Sequence, residues 1–360
     1  MNKRLNDLIN NIQLLDTNIS VKTQQLLDNL TKPKGSLGEL EELAKKIAVI
    51  TGVEKPRITK KFVFVVAADH DVVEENVSLY PQEVTYQMVL NFLNGGAAIN
   101  VFSKHVGCEV IVVDAGVKKN FEIKENKNFK IKKVNNGAKN FTKEPALTKN
   151  EVEKLLINGV ELVEELVRNN HREKDENFLV CIGEMGIGNT TVASALTSFI
   201  CGKPAKEVVG RGTGIDDERL KNKIRVVEKA IEMHKPSIYD PIDILSKIGG
   251  CEIACMTGII LGCAYYRVPI ILDGFISTSA ALVASCFSCK TISYMFAGHQ
   301  SLEPGHKIQL EFLGLRPILS LDMRLGEGTG AVLSSSIVEL SCKVLNEMAT
   351  FDTASVSRDI

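Results

Sequence analysis

The chain has 360 residues, 44% hydrophobic and 24% charged, enough to bury a large core in one or two domains. Its 43 Lys and Arg face 44 Asp and Glu, and a net charge of -1 weighs against a nucleic-acid partner. The first residues are polar and lack the apolar core of a secretion signal, and the longest uncharged apolar stretch, residues 253–266, is too short to span a bilayer, so a cytoplasmic protein with no membrane partner is expected.

Leu5, Leu8, Ile9, Ile12 and Leu15 recur at helical spacing and predict a helical segment within residues 1–30. Ser36 and Glu39 have the spacing of a capping box, which predicts a helix from there to about Ile50. Residues 62–67 are a continuous apolar run of β-formers, the pattern of a parallel strand buried on both faces. It ends at Asp69, His70 and Asp71. A helix is predicted over 84–104, then a strand over 109–113 that ends at Asp114. Residues 118–143 are rich in lysine and asparagine and read as a solvated excursion. Thr148 and Glu151 form a second capping-box pattern before a helix over 152–168. The next strand, 178–182, runs into Glu184. Helices follow over 191–200, 218–235 and 252–266. Strands over 268–272 and 318–321 end at Asp273 and Asp322, with Glu327 just beyond. A helix over 335–349 and a frayed tail over 351–360 close the chain.

Five apolar runs thus deliver an acid at their C-terminal ends, with helical patterns between them. The alternation predicts an α/β fold with a mainly parallel sheet flanked by helices, and ligands bind beyond the carboxyl ends of such strands. The nine cysteines are scattered. Cys108, Cys181 and Cys263 read as small core residues, and the Cys286/Cys289 pair lacks a second pair at zinc-site spacing.

Two glycine-rich loops carry the chemistry. Residues 183–190, Gly-Glu-Met-Gly-Ile-Gly-Asn-Thr, differ by one residue from a nucleotide phosphate loop. Asn189 stands where that loop needs its lysine, so triphosphate hydrolysis is not expected. Gly186 and Gly188 still allow close backbone approach. Thr190 adds a hydroxyl, which suits a single phosphate monoester; a tight strand-to-helix turn without ligand is the alternative. Neither loop has the glycine spacing of a dinucleotide fold. The loop at 210–217 leads into a helix that Asp216 or Asp217 can cap, and Lys223 lies about two turns inside, within reach of a phosphate. His299 and His306 flank Glu303 without the helical spacing of a metal site, so no metal is expected; Ser301 reads as a hydroxyl donor to substrate. In the second loop, 324–333, Gly326 and Gly328 flank Glu327 and apolar residues surround it. Desolvation there would make Glu327 a better base, although a surface turn glutamate has the same local sequence.

Taken together, segments 32–38, 68–70, 137–148, 183–191, 210–218, 273–275, 298–304 and 324–333 span nearly the whole chain, and in them it resembles the nicotinate-nucleotide–dimethylbenzimidazole phosphoribosyltransferases. The resemblance implies a Rossmann-like large domain over 31–334, a small helical domain from 1–30 and 335–360, and a homodimer without cofactor. It implies transfer of phosphoribose from nicotinate mononucleotide to a benzimidazole-type base, with inversion and Glu327 as general base. Adenine or a phenolic base is the alternative acceptor, and a non-catalytic nucleotide sensor the alternative from another class. It further implies that Glu184 is catalytic along with Glu327, and that Glu184, Gly186 and Gly188 contact the ribose phosphate, helped by Lys223 and Ser301. Asp273 is expected near the ribosyl or nicotinate portion. Leu325, Tyr80, Gln87 and Met88 are expected to wall the base pocket.

Overall fold

The structure, a computed structural model, describes residues 1–170, 176–212 and 214–357. Among these, seven strands form one sheet: β1 (Arg57–Ala68), β2 (Glu109–Gly116), β3 (Phe129–Ile131), β4 (Glu176–Met185), β5 (Ile270–Leu272), β6 (Met295–His299) and β7 (Pro317–Leu319). Every pairing is parallel, in the order β3-β2-β1-β4-β5-β6-β7. Residues 62–68 of β1 are buried on both faces, as an inner strand of a covered sheet requires.

The helices are α1 (Lys3–Asn10), α2 (Asn18–Asp28), α3 (Glu39–Thr51), α4 (Glu83–Leu93), α5 (Ala98–Val106), α6 (Lys149–Asn169), α7 (Asn189–Cys201), α8 (Ala205–Val208), α9 (Asp217–His234), α10 (Pro241–Ile248), α11 (Cys251–Tyr266), α12 (Phe275–Phe287), α13 (Pro304–Leu313), α14 (Thr329–Glu347) and α15 (Phe351–Ala354). Residues 251–264 of α11 are all buried, which explains its apolar character on every side. It packs on α6 backbone to backbone. A Cβ at Gly159 would stand 2.1 Å from the Cys255 carbonyl oxygen, and one at Gly258 2.1 Å from that of Leu156. No helix among the described residues is long and apolar enough to cross a membrane.

Several expectations are corrected. The N-terminal helical segment is two helices, α1 and α2. The segment over 84–104 breaks into α4 and α5 at Gly95, whose φ is +78°. Ser36 does not cap α3. Its amide belongs to a turn on Pro33, Gly38 is the cap, and the Glu41 carboxylate accepts from the Leu37 amide while paired with buried Lys32. The excursion at 118–143 contains β3 and is anchored by Phe129 and Phe141, both fully buried. The last long helix begins at Thr329, six residues earlier than expected, and α15 occupies the start of the tail. β3, β6, α8, α10, α12 and α13 had no counterpart in the sequence reading. Thr213 of the 210–217 loop and the last three residues of the tail lie outside the described residues.

Candidate active site

The two glycine loops meet. Gly183 and Glu184 lie in the last residues of β4, and the second loop comes down on them just before α14. A Cβ on Gly183 would stand 2.1 Å from the Gly328 amide nitrogen, and one on Gly326 2.5 Å from Glu184 Oε1. Side chains at either glycine would therefore force the loops apart. Gly326, Glu327 and Gly328 all have positive φ, +86°, +63° and +92°. For the glutamate this left-handed conformation costs about 1–2 kcal/mol, which the surrounding packing must hold in place.

Asp273, following β5, fixes the second loop from below. Its Oδ1 accepts from the Gly330 and Ala331 amides at 2.6 and 3.1 Å, and its Oδ2 from Gly328 at 3.3 Å. These are the amides at the start of α14, where a carboxylate is favoured by the helix dipole. Glu327 is buried at 6% exposure, and its Oε2 accepts from the Ile99 amide at 3.2 Å. Burial raises its pKa above the usual carboxylate value, the Ile99 hydrogen bond opposes the shift, and Asp273 adds to it. Glu184 is buried too and accepts from the Asn189 side chain. Burial, then the charges of Glu252 and Asp273, push it up to about 8. Burial likewise raises Asp273.

These acids line one cavity of about 740 Å³, within the size range of small-molecule sites. Its floor carries Glu184, Gly186, Asp273 and Glu327. At one end stand Asn189, Thr190, Gly212, Ser301 and Glu303. Lys223 lies just behind that end, fully buried, donating to Thr190 Oγ1 at 2.8 Å and to the Gly210 carbonyl at 3.3 Å. Burial lowers it to about 8, and Glu303 opposes that shift. An apolar group also lines it: Tyr80, Val84, Met88, Phe102 and Leu325. Tyr80 and Leu325 are more than half exposed, so this group forms the mouth.

Ten expected residues therefore line one cavity: Tyr80, Met88, Glu184, Gly186, Asn189, Thr190, Asp273, Ser301, Leu325 and Glu327. Three do not. Gly188 serves as the N-cap of α7, with φ +96°, beside Val72 and Val73. Lys223 reaches the site through Thr190. Gln87 is exposed on α4, away from the lining. Ser301 is held by His306, whose Nδ1 accepts from the Ser301 amide at 2.9 Å while Nε2 is 3.1 Å from Thr278 Oγ1. Burial lowers His306 to about 3, so the ring is neutral; with Nδ1 accepting, the proton sits on Nε2 and donates to Thr278. Sequence reasoning missed Phe102, which has no motif, and Arg324, which donates to the Gly212 carbonyl at 3.2 Å and so ties the second glycine loop to the loop at 210–217. A cation three residues before Glu327 was the available signal for Arg324. Among the described residues no group of three His, Cys, Asp or Glu is arranged to hold a metal ion.

A family model described as phosphoribosyltransferase matches residues 12–356. The nicotinate-nucleotide–dimethylbenzimidazole phosphoribosyltransferase of Chloroflexus aggregans is 49% identical over 354 residues, 98% of each chain. That of Geobacter sp. strain M21 is 48% identical over 347 residues, covering 96% of this chain and 97% of the relative. A crystal structure of the Thermus thermophilus enzyme of the same name superposes with a TM-score of 0.87 at 42% identity, covering 96% of this chain and 100% of that one.

Proposed function

We infer the reaction from one premise: the chain belongs to the family of nicotinate-nucleotide–dimethylbenzimidazole phosphoribosyltransferases. It transfers the phosphoribosyl group of nicotinate mononucleotide to dimethylbenzimidazole, giving α-ribazole 5′-phosphate and nicotinate, a step in building the lower-ligand nucleotide of cobalamin.

The chemistry divides between different parts of the cavity. The phosphate monoester lies against the start of α7, where Thr190 and the buried Lys223 supply a hydroxyl and a positive charge, with Ser301 beside them. The glycosidic carbon then sits over the floor between Glu184 and Glu327. Nicotinate departs readily, because breaking its bond to the sugar returns the electron pair to the ring nitrogen and neutralises the pyridinium. The azole nitrogen attacks the opposite face of the sugar, which inverts β to α. Bond formation would leave the azole cationic, and the Glu327 carboxylate removes its N–H proton. Burial raises the basicity of Glu327 in the direction this step needs. Holding both substrates in one cavity supplies much of the remaining acceleration.

The observation that carries this reading is the convergence of Glu184 and Glu327 on one cavity that has a buried lysine behind Thr190 and apolar residues in its lining. Mixing the protein with nicotinate mononucleotide and dimethylbenzimidazole tests it. Free nicotinate and an α-linked product in equal amounts are expected. Nucleotide binding without nicotinate release would favour a sensor. Adenine and a phenol, offered in competition, test base choice, which Tyr80, Met88 and Leu325 at the open mouth would decide. The protein is proposed to act as a cytoplasmic homodimer, as its family does, and light scattering of the purified chain checks the dimer.

A further inference from the structure

The pair α4 and α5 touches both glycine loops, and the reaction above gives it no task beyond lining the cavity. Thr85 of α4 is fully buried, and its Oγ1 accepts from the Ile187 amide of the first loop at 3.1 Å. Val84 and Met88, on one face of α4, line the cavity. On α5, the Ile99 amide donates to Glu327 Oε2 of the second loop at 3.2 Å, and Phe102, one turn further on, lines the cavity. Ile99 is the second residue of α5, where an amide has no partner within its own helix. The Glu327 carboxylate is the acceptor it finds there, and the helix dipole favours a negative charge at that end. Among the described residues no other hydrogen bond holds the Glu327 side chain, so Oε1 is left for a ligand.

Asn100 fixes this end of α5. The connection from α4 is otherwise loosely specified. Gly95 has φ +78° and Gly96 follows it. Ala97, the N-cap of α5, has no side-chain oxygen to offer the first amides. Asn100 Oδ1 accepts from the Ala97 amide at 3.1 Å, and its Nδ2 donates to the Phe92 carbonyl, in the last turn of α4, at 2.9 Å. One side-chain amide therefore pins the end of α4 to the start of α5. A helix start needs only the first of these bonds, which glutamate or glutamine at this position usually supplies. The second adds a fixed relation between the two helices. Because Asn100 follows Ile99 directly, loosening the pin first moves the amide that holds Glu327.

We propose that Asn100 is a positioning residue for the general base: by pinning α5 to α4 it fixes the Ile99 amide that grips Glu327 Oε2, and so aims Oε1 at the azole N–H. The inference rests on the reading of Glu327 as the base. Asn100 is not among the residues lining the cavity, and it acts through Ile99 and Glu327.

A double-mutant cycle in the full-length protein tests this, with nicotinate mononucleotide and dimethylbenzimidazole both saturating. Asn100→Ala alone is expected to lower kcat by roughly ten- to a hundredfold with little change in the nucleotide KM, because a small misplacement of a reacting group has effects of that size. In the Glu327→Gln background no base remains to be aimed, so the same substitution should change kcat by less than about twofold. A merely structural role would lower kcat by the same factor in both backgrounds, and that result would overturn the proposal. Wild-type kcat in Asn100→Ala would overturn it too. If Asn100→Ala does not fold, Asn100→Ser, which keeps a hydroxyl at that place, carries the same cycle. Both contrary results leave the transfer reading intact as long as Glu327→Gln alone is slow. Wild-type turnover in Glu327→Gln alone overturns the reading of the base, and this inference with it.

Discussion

Glu327 combines two costs that a residue serving structure alone would avoid: a left-handed backbone and a buried carboxylate. Gly326 makes the arrangement possible, since its φ is +86° and its Cα lies against Glu184. Gly326→Ala is therefore expected to keep the fold by circular dichroism but to lower kcat/KM by about tenfold or more, because the new methyl displaces Glu184 and strains the turn. Glu184 makes a prediction for the free protein. Between its ordinary value of 4.5 and its folded value of about 8 the native state holds an extra proton, so stability falls as pH rises across that window and the effect is absent below it. The melting temperature of Glu184→Gln should gain on that of the wild type from about pH 5 to about pH 8; a constant difference would contradict the assignment. Much at this scale was legible, because Glu184, Asn189 and Glu327 announce themselves in short glycine-rich motifs. The role of Asp273 was not. It was expected beside the sugar, and it does line the cavity. Its oxygens, however, hold amides 55 to 58 residues away in sequence, and no local pattern encodes that pairing.

Among the elements, α14 depends on a partner outside itself. Its N-cap is Gly328, without a side-chain cap, and Asp273 supplies the missing acceptors. Asp273→Ala is expected to destabilise the protein by roughly 2–4 kcal/mol and to lower kcat as well, since Glu327 precedes this helix by two residues. Asp273→Asn keeps an oxygen for Gly330 and Ala331 and should cost about half as much; equal melting temperatures for the two variants would contradict the capping role. Capping also shows where sequence patterns succeed. Thr148 and Glu151 close a reciprocal box at the start of α6, with hydrogen bonds of 3.2 and 2.7 Å. Ser36 and Glu39 have the same spacing but sit where a Pro33-to-Gly38 turn has already claimed the amides, and Glu41 closes it instead. β6 escaped notice because Met295 to His299 contains a glycine and little alternation, and its burial comes from neighbours on both sides. α12 and α13 follow directly after functional loops, where glycine and proline blur the helical period.

At the scale of the molecule, one sheet edge gathers everything. At or within two residues of the C-terminal ends of β1, β4, β5 and β6 stand His70, Glu184, Asp273 and His299, and the loop after β7 brings Glu327 back over β4. The repeated ending of apolar runs in acids made this edge legible before the strand order was known. The contact between the two glycine loops was not, because β4 and the start of α14 are about 140 residues apart and only the sheet order joins them. We propose that residues 1–30 and 335–360 form a small helical unit beside the large α/β unit of 31–334. Leu27, Leu30 and Leu345 share a separate small core with Ala44, and Leu30 bridges to Thr350, which supports the division; Leu5, Leu8, Ile9 and Ile12 join the main core and form its seam. Centrally, we propose that this edge is a transfer site whose base is Glu327. Glu327→Gln preserves size and hydrogen bonding while removing the base. Its kcat, measured with nicotinate mononucleotide and dimethylbenzimidazole both saturating, should fall by roughly 10²–10⁴-fold with nucleotide affinity little changed; wild-type turnover in that variant would contradict the assignment of Glu327 as the base.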